Sequence, residues 1–79
     1  MPDQISDIIR KVIGQRIRHY REESRLTLRD LEVISGVGHS WIAKVEKGQI
    51  NLQIDSLIKL LAALEIQPRE LFDFELPYK

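Results

Sequence analysis

The sequence predicts an all-α fold, a compact bundle of five helices ending in a short extended tail, and three stretches carry that prediction. Ile5, Ile8, Ile9, Val12, Ile13, Ile17 and Tyr20 recur at the spacing of one long amphipathic helix. Two shorter helical patterns flank a break at Gly36-Val37-Gly38. From Ile54 to Leu64, apolar residues at 57, 58, 60, 61 and 64 cover most of a helix circumference, the pattern of a helix central to a core.

In chain order, Met1 to Asp3 are expected to be disordered. The first helix should begin near Ser6, with Asp3 as a competing cap, and fade by Ser24-Arg25. Its polar face carries Arg10, Lys11, Arg18 and Arg21. In the second helix Thr27 is a plausible N-cap, with Asp30 three residues on as a capping-box partner. Leu28, Leu31 and Ile34 then form its apolar row, and Gly36 can take the left-handed conformation that ends it. In the third, Ile42 and Val45 point inward with Val37 from the turn, leaving His39, Ser40, Ala43, Lys44 and Lys47 outside. Gln49 to Gln53 is a loop in which Asn51 can bond local backbone. After the central helix, Gln67-Pro68 opens a short fifth helix, whose Leu71 and Phe72 should close the core. Phe74, Leu76 and Tyr78 alternate, an extended pattern that Pro77 cuts short.

A chain of 79 residues makes one small domain, residues 1–79, with a core at about 13–72, a helical extension at 4–12 and a tail at 73–79. The absence of cysteine excludes disulfides, thiolate metal sites and a thiol nucleophile, and points to a reducing cytoplasm. The start MPDQISD has no signal-peptide pattern, and no apolar run is long enough for a bilayer. Net charge is zero, yet residues 10–47 hold nine Lys/Arg against five Asp/Glu, while residues 65–79 hold four acids against two bases. A basic body and an acidic end average to nothing, which makes charge weak support for a nucleic-acid partner. No Gly-rich phosphate loop, metal-spaced cluster or nucleophile–base set is present, so no enzyme, cofactor, metal or small-molecule ligand is expected.

A capped helix, a tight glycine turn and a second helix with short polar side chains near its start describe a helix-turn-helix. The residues around it resemble the phage-repressor (Xre-like) helix-turn-helix family, which includes restriction-modification controller proteins. The matching pieces are Ile17-Arg18 and Arg21, Thr27-Leu28 with Leu31, Ser35-Gly36-Val37, Ile42 with Val45-Glu46-Lys47-Gly48, Asn51, Leu57, Leu60, Ala63-Leu64, and Pro68 with Glu70-Leu71-Phe72. The resemblance runs from about Ile13 to Phe72.

The resemblance implies a sequence-specific, DNA-binding transcriptional regulator, a homodimer on a pseudo-palindromic operator with its recognition helix at about residues 38–47. It places base contacts on His39, Ser40 and Lys44, with Ala43 near a thymine methyl. Lys44 suits guanine O6 and N7, and a histidine contact would be pH-sensitive. Phosphate contacts fall on Thr27, Arg21, Trp41, Lys47 and Asn51, and the amides opening the second helix form an anion site. Trp41 is read both as a lid on the helix junction and as an indole donor to a phosphate. Arg21 and Glu46 are expected to pair as a brace between the first helix and the recognition helix. The chain departs from the family at Leu28, where Gln is common, at Leu52, where Pro is usual, and at Glu32, where Ala is common. Glu32 must therefore point outward or widen the helix crossing.

A dimer must leave the recognition helix free, so its surface is expected at Ile66, Phe72, Phe74, Leu76 and Tyr78. Tails of two subunits could pair as strands; alternatively the tail folds back over Ile5, Ile8 and Ile9 of its own chain. A second functional class is a protein-interaction module of the same fold that binds another regulator or a toxin, favoured by zero net charge and Leu28.

Overall fold

The computed structural model describes residues 3–76. It is all-α: α1 (Asp3–Glu23), α2 (Leu28–Ser35), α3 (His39–Glu46) and α4 (Ile54–Leu64) are followed by one 3₁₀ turn at Pro68–Glu70. The expected count of five helices is therefore corrected to four. After Pro68 the amides of Leu71 and Phe72 both donate to its carbonyl, at 3.0 and 3.2 Å, which closes a single turn. The next bond, Phe74 N–H to Phe72 O at 2.9 Å, is too tight for a helix to continue. The tail forms no strand among the described residues; Pro77 and Tyr78, on which part of that expectation rested, lie outside them.

α1 runs from Asp3, the competing start, and not from Ser6. Periodicity marks the first apolar residue to find a partner, whereas backbone hydrogen bonds can carry the helix back through polar residues. The capping box of α2 forms in full: Thr27 Oγ1 accepts from Asp30 N–H at 3.0 Å, and Asp30 Oδ2 from Thr27 N–H at 2.9 Å. Gly36 ends that helix at φ 78°, and its N–H donates to Glu32 O at 2.7 Å.

The core consists of Ile13 and Ile17 of α1, Leu31 of α2, Val37, Ile42 and Val45 of the turn and α3, four leucines of α4, and Leu71. Ile34, Ile58 and Phe72, expected inside, are instead exposed, at 55%, 55% and 46%. For Ile34 the cause is geometric: each three-residue step drifts by about 60° around a helix, so the row begun at Leu28 and Leu31 has rotated off the core by its third member. Phe72 follows Leu71 on a tight turn, and only one of two successive side chains can point inward.

Gly14, in the middle of α1, sets how closely α1 meets α3. A Cβ there would lie 2.2 Å from Val45 O and 2.8 Å from Glu46 O, so the α3 backbone rests directly on this glycine. At the other end the tail folds back. Arg16 donates to Leu71 O at 3.1 Å and Asp73 O at 3.2 Å, and its guanidinium lies 5.5 Å from the Phe74 ring centroid. Phe74 and Leu76 line a cleft of about 160 Å³ together with Ile5, Ile8, Ile9 and Val12. The described part of the tail, residues 73–76, thus runs over its own first helix.

Candidate nucleic-acid interface

α3 is held from both ends. Near its C-terminus Glu46 receives a two-pronged clamp: Arg21 Nε donates to Oε2 at 2.7 Å and Nη2 to Oε1 at 3.0 Å. Both side chains are nearly buried, with 11% and 6% of their surfaces exposed. The Glu46 hydrogen bonds push the Arg21 pKa still higher, so its charge is permanent. The third prong, Arg21 Nη1, donates to Leu26 O at 2.8 Å and ties the α1–α2 link into the same clamp. The expected pair therefore forms, but most of Arg21's donors point into the protein. Two guanidinium hydrogens at most remain for a phosphate.

At the N-terminus of α3 the residue at the cap, Gly38, offers no side chain. Glu32 of α2 fills the role: its Oε1 accepts from His39 N–H at 2.6 Å and lies 2.6 Å from His39 Nδ1. The half-exposed Glu32 side chain bridges the turn to His39, a contact the sequence reading did not include. Those bonds hold its carboxyl below the ordinary carboxylate range, with the positive end of the α3 dipole acting in the same direction. A helix that opens on glycine needs an acceptor from elsewhere, but nothing in the sequence names the residue that supplies it.

Of the expected base-reading residues, Ser40 and Lys44 are exposed, and His39 and Ala43 are half-buried. Lys44 and Lys47 stand free of ion pairs among the described residues. Trp41 packs against the core, yet its indole N–H is neither paired nor sealed from solvent. This geometry accommodates both roles read for Trp41. Thr27 is exposed at the start of α2. Its oxygen occupies the Asp30 amide, so the anion site expected there shrinks to the Leu28 and Arg29 amides beside an acidic side chain. Asn51 is exposed, but its Oδ1 accepts from Arg10 Nη1 at 3.1 Å and not from local backbone. Arg10 also pairs with Asp7 one turn back on α1; its long-range bond to Asn51 is the part that sequence spacing does not reveal. Leu28 packs against the core, which accounts for an apolar residue at that position. Residues 39, 40 and 44 lie on α3, while Thr27 caps the start of α2 and Lys47 the end of α3, and the clamp and the cap fix how α3 presents its share.

Comparison with known proteins bears on what this arrangement is. A family model described as a helix-turn-helix domain matches residues 12–73. The chain is 40% identical over 65 residues to the HTH-type transcriptional regulator SlrR of Bacillus subtilis, covering 81% of this chain and 43% of that protein. It therefore spans less than half the length of that relative. The crystal structure of the restriction-modification controller protein C.AhdI from Aeromonas hydrophila superposes with a TM-score of 0.76 at 40% identity, covering 80% of this chain and 96% of that one. The controller protein C.Esp1396I, solved as a tetramer in complex with its natural 35 base-pair operator, superposes with a TM-score of 0.73 at 26% identity, over 82% and 86% of the two chains. With the α2–turn–α3 geometry, these matches establish that the chain belongs to the helix-turn-helix domain family.

Proposed function

We propose that this chain is a cytoplasmic, non-enzymatic transcriptional regulator that binds double-stranded DNA sequence-specifically, as a homodimer on a pseudo-palindromic operator. One observation carries the reading: α3 and its C-cap present Ser40, Lys44 and Lys47 outward and unpaired, while Arg21 and Glu46 fix the helix from behind. A helix so held can enter a major groove with its N-terminal residues against base edges. His39, Ser40, Ala43 and Lys44 then face bases, and Lys47, Trp41, Thr27, Asn51 and the remainder of Arg21 face phosphates. The operator complex of C.Esp1396I supports the choice of partner.

The homodimer forms away from α3. Phe72 is exposed and Ile66 half-buried beyond the end of α4, on a surface the DNA face does not use. Phe74 and Leu76 contribute at its edge while covering α1, and Tyr78 follows them in sequence. The competing reading, a module that docks another regulator or a toxin, draws on zero net charge and on Leu28. An electrophoretic shift with duplex fragments, excess nonspecific competitor and two salt concentrations separates the two. A retained complex that weakens steeply with salt is the expected result; no complex at the lower salt would favour the protein partner.

A further inference from the structure

The contact between Glu32 and His39 does more than cap a helix. The backbone bond from His39 N–H already satisfies the first amide of α3. A second contact, at 2.6 Å, runs from the same carboxylate oxygen to the ring nitrogen Nδ1. Hydrogen bonds from His39 hold the Glu32 carboxyl below its ordinary range, so it is ionised at neutral pH and offers only lone pairs. At this distance Nδ1 must carry the hydrogen. The other ring nitrogen, Nε2, has no partner and is not among sealed polar atoms, so it opens to solvent at the start of α3.

We propose that Glu32 is a positioning residue that locks the neutral His39 ring as its Nδ1–H tautomer, so that Nε2 accepts a hydrogen bond from an exocyclic amino group in the major groove. The proposal rests on the reading of α3 as a DNA-reading helix. In a neutral imidazole one nitrogen donates and the other accepts, and which is which is set by the bond the first one makes. Free in water, the ring favours the hydrogen on Nε2 and would offer a donor, suited to guanine O6 or N7 or thymine O4. Locked by Glu32, it offers an acceptor, and in the major groove the donors are cytosine N4 and adenine N6. Glu32 thereby selects the base class read by its neighbour without touching DNA. A cap alone would not do this, because it needs only the backbone bond.

Two measurements test it. Long-range ¹H–¹⁵N correlation spectra of the intact chain, at a pH where the ring is neutral by its own shifts, report the tautomer directly. Wild type should show a protonated Nδ1 and a pyridine-like Nε2, Glu32→Ala should revert to the Nε2–H form, and Glu32→Gln should restore Nδ1–H through its amide oxygen. A wild-type ring protonated on Nε2 overturns the proposal, and that result needs no variant to fold. Site selection from a randomised duplex library, with wild type and Glu32→Ala, then reads the consequence. Wild type should enrich cytosine or adenine at one position of each half-site, and the variant should lose that preference by roughly fivefold, the low end for one base contact. Equal preferences in the two proteins would overturn the assignment. A wild-type library with no enriched site would instead remove the DNA-reading role of α3, and this inference with it, whatever tautomer the spectra show.

Discussion

At the scale of single residues, the Arg21–Glu46 clamp and the two helix caps decide whether α3 is presented rigidly. Arg21→Ala leaves a nearly buried carboxylate without its partner and Leu26 O without its donor. The expected cost is about 3 kcal/mol, the lower end for breaking a buried pair. Adding Glu46→Gln should recover part of the stability but little DNA affinity, because the brace is still missing. Chemical denaturation of both single variants and the double variant checks this; strict additivity would contradict a coupled pair. The caps predict a pH dependence. Asp30 and Glu32 are both held below their ordinary values of 3.8 and 4.5, by hydrogen bonds from Thr27 and His39 respectively. A depressed carboxylate contributes stability that is complete above its ordinary value and is lost as pH falls through the lower folded one. Melting temperatures followed from neutrality to about pH 3 should therefore fall, and Asp30→Asn and Glu32→Gln should each flatten that fall. Much of this scale was legible in the sequence: the Thr27–Asp30 box by its spacing, and the Arg21–Glu46 pair by family resemblance. The contacts of Glu32 with His39 and of Arg10 with Asn51 were not, because each joins residues of different elements with no periodic relation.

At the scale of elements, one glycine governs how α1 and α3 dock. Gly14→Ala gains about 1 kcal/mol of helix propensity, but its methyl group would press on the carbonyl oxygens of Val45 and Glu46, backbone atoms that cannot rotate away. Overpacking of this kind costs about 1–3 kcal/mol and often more, so the clash should win. The expected outcome is a lower urea midpoint with weaker DNA binding, since α3 must move; a raised midpoint would contradict the close approach. Helix existence and order were legible from apolar spacing, and the turn from Gly36 and Gly38. Boundaries were less so, because α1 extends through polar residues that no apolar pattern marks. The supposed fifth helix shows the same limit. Pro68 signals a helical start but not its length, and the chain leaves the helical path within one turn. Gly14 itself looked like an ordinary helix residue, since its role depends on a backbone brought to it by the fold.

At the scale of the whole molecule, the structure divides its surfaces. The face formed by α2 and α3 keeps free cations, the region beyond α4 keeps exposed Phe72, and residues 73–76 lie over α1. Periodicity showed that the tail was apolar but not what it would cover, because both an intersubunit strand and a self-docked tail use alternate residues. In the proposed function α3 reads base edges from a two-fold assembly. This is tested most directly by selecting sites from randomised duplex DNA, then titrating wild type, Lys44→Ala and Lys47→Ala on the selected site and on random DNA at two salt concentrations. The selected site should be pseudo-palindromic, with half-sites roughly 34 Å apart. Lys44→Ala should lose about 1–3 kcal/mol on that site and relax one position in each half. Lys47→Ala should weaken both DNAs alike and lower the salt slope by about one charge. Equal losses on selected and random DNA for both variants, or no enriched symmetric site, would rule out base reading by α3.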